Sequence, residues 1–108
     1  MLYDSRKDNT IAAVLIRARA LIADEKNFCQ SGWGYNGRMC AVHAIFNAAR
    51  SSTKPSNDTI LHTLPADKFL TQLCKDPSLA YYNDRHTHAE VLALFDRGIV
   101  EVGRREMY

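Results

Sequence analysis

A threonine and a glutamate three residues apart mark the most clearly defined helix start in the sequence. Thr87 and Glu90 have the spacing of a capping box, in which the threonine hydroxyl accepts from the glutamate N–H and the glutamate side chain reaches back to the threonine N–H. The helix should therefore begin near His88, and Gly98 is a candidate for its early end. Its apolar residues repeat at 3.6 residues per turn, which predicts a core-facing side: Val91, Leu92, Phe95 and Ile99.

The chain length and composition indicate one ordinary globular domain. A chain of 108 residues can bury roughly 60–70% of its unfolded surface and needs no metal or disulfide to fold. No apolar run approaches the roughly 18 residues of a membrane helix, and the N-terminus lacks the apolar segment of a signal peptide. The three cysteines should then be reduced thiols. We expect a cytoplasmic protein, spanning residues 1–108 as a single helical domain, with no membrane association and no cofactor.

Three further main helices and one short helix are predicted before the capping box. Asn9 or Thr10 can cap a first helix that runs from about residue 10 to about residue 24. Residues 39–50 are apolar almost all round, which predicts a central helix packed between the first and the last. A short helix over residues 58–62 should precede a third main helix, which starts at Pro65 and stops before Asp76-Pro77. The fold expected is all-α, with three or four main helices.

Residues 28–38 carry the strongest turn signals in the chain. Three glycines and an Asn-Gly pair lie in this segment, which predicts a loop or a small β-ribbon near residues 29–38. Trp33 and Tyr35 flank Gly34, and such aromatic residues either pin the loop to the core or face a partner. Both are therefore candidate binding residues.

Two kinds of reactive site can be assembled from the cysteines and histidines. A hydrolase or transferase would use Cys29 or Cys40 as nucleophile and His43 or His88 as base. Asn83 or Asp84 would orient the base, and Gln30 would polarise an oxyanion. A metal site would combine Cys29, Cys40 and His43 with His86 or His88, although this spacing is not that of a common zinc finger. A cysteine in a nearly all-apolar helix is more often an inert core residue, and a histidine at a helix start can simply face solvent.

Nucleic-acid binding is a third hypothesis. Five arginines could contact phosphates: Arg17, Arg19, Arg38, Arg104 and Arg105. They are scattered among acidic residues, however, and the net charge is only +2. The linker after Arg50 is also too long for the turn of a helix-turn-helix.

The C-terminal part of the chain resembles an uncharacterised family of small bacterial and phage-borne proteins. That family ends in aromatic-Asn-Asp, a short gap, and Thr-His-x-x-Val-x-x-x-Phe-Asp-x-x-Ile. The matching residues are Tyr82, Asn83, Asp84, Thr87, His88, Val91, Phe95, Asp96 and Ile99. Residues 18–22, 28–31 and 40–44 resemble its earlier motifs, but Ser31 and His43 replace expected glycines and Gly98 replaces the usual alanine. The resemblance implies a domain of unknown function that often accompanies phage or mobile DNA.

We therefore expect a phage-borne, non-enzymatic protein that engages a host protein, with Trp33 and Tyr35 at the contact. The polar segment before the capping box is the second place to look for a ligand, through Tyr82, Asn83, Asp84 and His88. Short polar side chains in such a turn also serve purely structural roles, because they bond to the neighbouring backbone.

Overall fold

Helix caps account for the main boundaries of an all-α domain, as predicted. A computed structural model describes residues 10–30, 34, 37–50 and 57–105. Within these ranges the α-helices are α1 (Ile11–Leu21), α2 (Ala41–Arg50), α3 (Asn57–Cys74), α4 (Leu79–Arg85) and α5 (His88–Arg104), with one 3-10 turn at Glu25–Asn27. None of the described helices is both long enough and apolar enough to cross a membrane.

The capping box forms at the start of α5. The Glu90 N–H donates to Thr87 Oγ1 at 3.1 Å, and the Thr87 N–H donates to Glu90 Oε1 at 2.9 Å. The predicted early end at Gly98 is wrong, because α5 continues to Arg104. Gly98 instead faces the core, where an added Cβ would lie 2.6 Å from Leu70 Cδ2. The glycine therefore allows α5 to approach α3 closely.

Helix α1 ends earlier than predicted and lies at the centre of the packing. The Thr10 hydroxyl accepts from the Ala13 N–H, but α1 stops at Leu21 because Asp24 caps a separate 3-10 turn. Helix α1 packs against both α2 and α5, whereas α2 packs chiefly against α1 and α3. The prediction that α2 lies between the first and last helices is therefore wrong. Fully buried alanines on α2, among them Ala44 and Ala48, suit its close packing.

Proline does not divide the third helix. Helix α3 runs through Pro65 without a break, so the predicted short helix and the later start at Pro65 form one helix. Pro65 is exposed and removes only one backbone hydrogen bond from an 18-residue helix. The end of α3 agrees with the prediction, since Lys75 takes a left-handed φ of 64° just before Asp76-Pro77.

The predicted β-ribbon is absent from the described part of residues 29–38. Its only trace is an isolated parallel bridge between Phe28 and Met39. Since Met39 takes part in this bridge, α2 begins two residues later than predicted, at Ala41.

Candidate functional site

Residues 82–84 lie on a short helix and not in the turn predicted before the capping box. Ser78 caps α4 by accepting from the Tyr81 N–H at 3.1 Å, and the Leu79 N–H donates to Thr71 Oγ1 on α3 at 3.1 Å. These bonds fix α4 against the end of α3. The turn between α4 and α5 is reduced to His86 and Thr87.

Asn83 projects from α4 into the protein interior, where its side chain is fully buried. Its Oδ1 accepts from the Ala41 N–H at 2.8 Å. Its Nδ2 donates to the Cys29 carbonyl at 3.1 Å and to the Gln30 carbonyl at 2.9 Å. One side chain therefore joins the two ends of the segment 29–40, which we call the Asn83-anchored loop.

Backbone contacts close the base of the Asn83-anchored loop. The Cys29 N–H donates to the Met39 carbonyl and the Met39 N–H donates to the Asn27 carbonyl, both at 2.8 Å. Gly34 has a φ of +126°, and a Cβ there would lie 2.2 Å from the Arg38 carbonyl oxygen. Only glycine fits this approach. Among the described residues of the loop, the backbone at Gly34 therefore lies directly against the backbone at Arg38.

The predicted contact residues Trp33 and Tyr35 belong to this loop by sequence, but they lie outside the described residues. The described residues beside the loop base include Gln30, whose Nε2 donates to the His86 carbonyl at 2.8 Å. Asp84 is exposed on the neighbouring helix. The Gln30 bond therefore joins the loop to the turn that follows α4.

The remaining candidates at this end of the protein have structural contacts: Tyr82 and His86 pack against each other, and His88 packs against Phe28. The rings of Tyr82 and His86 stack with their centroids 3.7 Å apart, and His86 Nδ1 lies 2.8 Å from the Tyr82 carbonyl oxygen. Burial raises the pKa of the Tyr82 hydroxyl. His88 is half-buried, not solvent-facing: its Nε2 lies 2.6 Å from the Ile22 carbonyl oxygen, and its ring packs against Phe28. His88 thereby links the end of α1 to the start of α5.

The proposed nucleophile Cys40 acts as a helix cap. It precedes α2, and its Sγ accepts from the backbone N–H of His43 at 3.3 Å. Burial raises the pKa of the Cys40 thiol, which favours the protonated form over the reactive thiolate. Cys29 is also buried. Among the described residues, no three side chains of histidine, cysteine, aspartate or glutamate are grouped to hold a metal ion.

Four of the five arginines considered for nucleic-acid binding have partners within the protein. The partners are the Ala48 carbonyl for Arg17, Asp96 for Arg19, and Glu101 for both Arg104 and Arg105. The two arginines lower the pKa of the Glu101 carboxyl to about 2, so this cluster is ionised at neutral pH. The ion pairs of Arg19, Arg104 and Arg105 reduce the positive charge available to phosphates.

In the comparison with known protein families, residues 6–101 match a family model. The chain belongs to DUF6197, a family of unknown function. This agrees with the expectation of an uncharacterised domain. The DUF6197 match includes α1 to α4, most of α5 and the Asn83-anchored loop. Neither a curated protein nor a solved structure is significantly similar to the chain.

The role of Asn83 in this DUF6197 domain was missed because α4 was interpreted as a turn. Leu79 and Asn83 are four residues apart and therefore share one face of a helix. Leu79 is fully buried, so the same face carries Asn83 into the core. A helical interpretation of 79–85 would have predicted a buried amide that needs partners. Its partners, more than 40 residues away in sequence, could not have been named.

Proposed function

We propose that this protein is a non-enzymatic binding protein, carried by a phage or mobile element, that engages a bacterial host protein in the cytoplasm. Binding would modulate the activity of that protein, in host takeover or in countering defence. The observation that carries this proposal is the anchoring of a glycine-rich loop at both ends by Asn83.

A preorganised loop favours binding, because less conformational entropy is lost when a partner fixes it. The bonds of Asn83 and the backbone bridge hold the base of the loop before any partner arrives. Its sequence places Trp33 and Tyr35 on either side of Gly34. Tryptophan and tyrosine are the residue types that most often contribute large shares of interface energy.

The cysteine-based alternative has weaker support. An activated thiol needs a lowered pKa and a nearby base. Cys40 has a raised pKa and contacts the backbone of His43 through its sulfur. The binding proposal requires neither property.

The test begins with tagged full-length protein and a lysate of the bacterium that carries the gene. A protein retained in stoichiometric amount would be identified, purified and titrated by calorimetry against the W33A/Y35A variant. We expect the variant to lose at least about 30-fold in affinity, as for one strong interface residue. Helix content and melting temperature would establish that it remains folded.

Ile16→Ala provides a matched control, since Ile16 is an exposed apolar residue on α1 outside the loop. It should bind as tightly as the native protein. The proposal would be wrong if no host protein were retained, or if folded W33A/Y35A bound the partner with native affinity.

A further inference from the structure

We propose that a groove between α3 and α5 binds a short acidic segment of a partner protein that carries an apolar anchor residue. This α3–α5 groove consists of two adjoining hollows, of about 360 and about 280 Å³, which share Leu73 and Arg97. It goes beyond the proposed function because it is a second surface, formed by residues outside the Asn83-anchored loop.

One half of the groove offers an apolar contact. Leu73 from α3 and Val100 from α5 line the larger hollow. Val100 is 67% exposed, the highest value among the large apolar residues that the structure describes. An apolar side chain of a partner would cover it and remove both surfaces from water.

The other half of the groove is positively charged. Lys75, Arg97 and Arg105 line the smaller hollow with Phe69 and Gln72, and no acidic residue is among the lining residues described there. The Arg105 guanidinium lies 5.7 Å from the centre of the Phe69 ring, a cation–π contact that holds it over the hollow. Carboxylates are the complementary groups for this arrangement.

The acids of the larger hollow compensate part of the Arg105 charge, but not the charges of Lys75 and Arg97, because both acids are paired with other arginines. Asp96 Oδ1 lies 2.5 Å from Arg19 Nε. Glu101 accepts from Arg104 and Arg105 at 2.8 Å. Within the described ranges, Lys75 and Arg97 have no ion-pair partner.

Lys75 occupies a position that glycine would fill at lower conformational cost. Its φ of 64° ends α3 in the left-handed region, where glycine is the usual residue. Lysine at this point also adds a charge to the groove, which glycine could not.

The dimensions of the groove fit a peptide better than a small anion. Arg105 directly follows the last residue of α5, so it lies about two helical turns, or about 12 Å along the axis, beyond Arg97. A phosphate or single carboxylate would occupy only the charged half and leave Val100 uncovered. A segment of about two helical turns, with glutamates or aspartates one turn from a leucine or phenylalanine, would cover both halves.

The test uses a fluorescent, end-blocked probe peptide of about 12 residues, with leucine at helical spacing among glutamates. It would be titrated with full-length protein by fluorescence polarisation at low ionic strength, and its site mapped by amide chemical shifts. Binding should shift the resonances of Leu73, Arg97 and Val100. K75E/R97E should weaken binding at least about tenfold, and V100A by a smaller factor.

K26E/K68E is the matched control, since Lys26 and Lys68 are exposed lysines outside the residues that line the groove. It changes the net charge equally and should retain most of the affinity. Equal loss in both double variants would show non-specific attraction and overturn the proposal.

Other outcomes would also overturn it. One is the absence of peptide binding at protein concentrations up to about 1 mM, which is a Kd typical of the weakest contacts. Another is equal affinity for a peptide with glutamine in place of glutamate. A third is full competition by inorganic phosphate, together with an unchanged peptide affinity of V100A. The last result would indicate a small-anion site. Because Trp33 and Tyr35 are untouched, failure here would leave the proposal for the Asn83-anchored loop intact.

Discussion

Replacing Asn83 by alanine should destabilise the whole domain, because its amide serves three separate backbone groups. The Ala41 N–H and the Cys29 carbonyl are bonded to it in the interior, and the Gln30 carbonyl is partly buried. A buried polar group left unpaired costs roughly 1–3 kcal/mol. Two such groups give an expected loss of about 2–6 kcal/mol, a large fraction of the roughly 5–15 kcal/mol that stabilises a typical domain.

The assay is urea unfolding at pH 7, followed by circular dichroism and by the fluorescence of the single tryptophan. Asn27→Ala is the control, since Asn27 is an exposed asparagine in the same region. It should change the unfolding free energy by less than about 0.5 kcal/mol. A folded N83A protein within about 1 kcal/mol of the native value would refute the argument that these bonds hold the loop.

Asn83→Asp separates the acceptor from the donor function of the amide. In N83D an oxygen can still accept from the Ala41 N–H, but two carbonyl oxygens then face a carboxylate that cannot donate. Burial and these carbonyls should raise its pKa above the value of about 3.9 in the unfolded chain. The folded state then holds the extra proton, so the stability of N83D relative to native falls as pH rises from about 4 through the folded pKa. Urea unfolding of N83D and native protein at several pH values would measure this. A stability difference that does not change with pH would contradict the prediction.

The remaining predictions concern single contacts. Thr87→Ala should lower the free energy of unfolding by about 1 kcal/mol, because it removes the cap of α5. Thr87→Ser keeps a hydroxyl and should retain most of that stability. Equal stability of the two variants in urea would contradict a capping role for Thr87. Gly98→Ala should destabilise by about 1 kcal/mol, because overpacking against Leu70 exceeds the helix-propensity gain. The same change in a Leu70→Val background should be less costly, and a stabilising G98A alone would contradict the steric argument. Cys40 should react with iodoacetamide at pH 8 at least about tenfold more slowly than in unfolded protein, as measured by mass spectrometry; rapid reaction would favour the enzyme hypothesis.

The sequence alone predicts a helix end well when the capping side chain lies within four residues of the backbone group that it bonds. The capping box of Thr87 and Glu90 follows from their spacing, and Thr10 is one of the two residues predicted to cap α1. Both partners of each of these bonds are close in the chain. The end of α3 near Asp76-Pro77 is also predicted by a local signal, because a proline restricts the residue before it. Secondary structure at these points depends little on the rest of the fold.

Predictions failed where distant residues determine the result. Pro65 lies inside α3 because the cost of one lost hydrogen bond is outweighed by the other contacts of a long helix. Gly98 lies inside α5 and does not end it. Its lack of a side chain makes room for Leu70 on α3, a contact that the local sequence does not reveal. The helix α4 was missed since seven residues give too short a pattern to separate from a turn.

Asn83 also connects the loop to the start of a helix, and this limits how the loop can change shape. Its Oδ1 accepts from the first N–H of α2, a group with no acceptor inside the helix. Its Nδ2 holds the opposite end of the loop through Cys29 and Gln30. A partner that displaced the loop base would therefore also uncap α2. The partner proposed above should therefore bind with the bonds of Asn83 intact, because opening the loop base would break them.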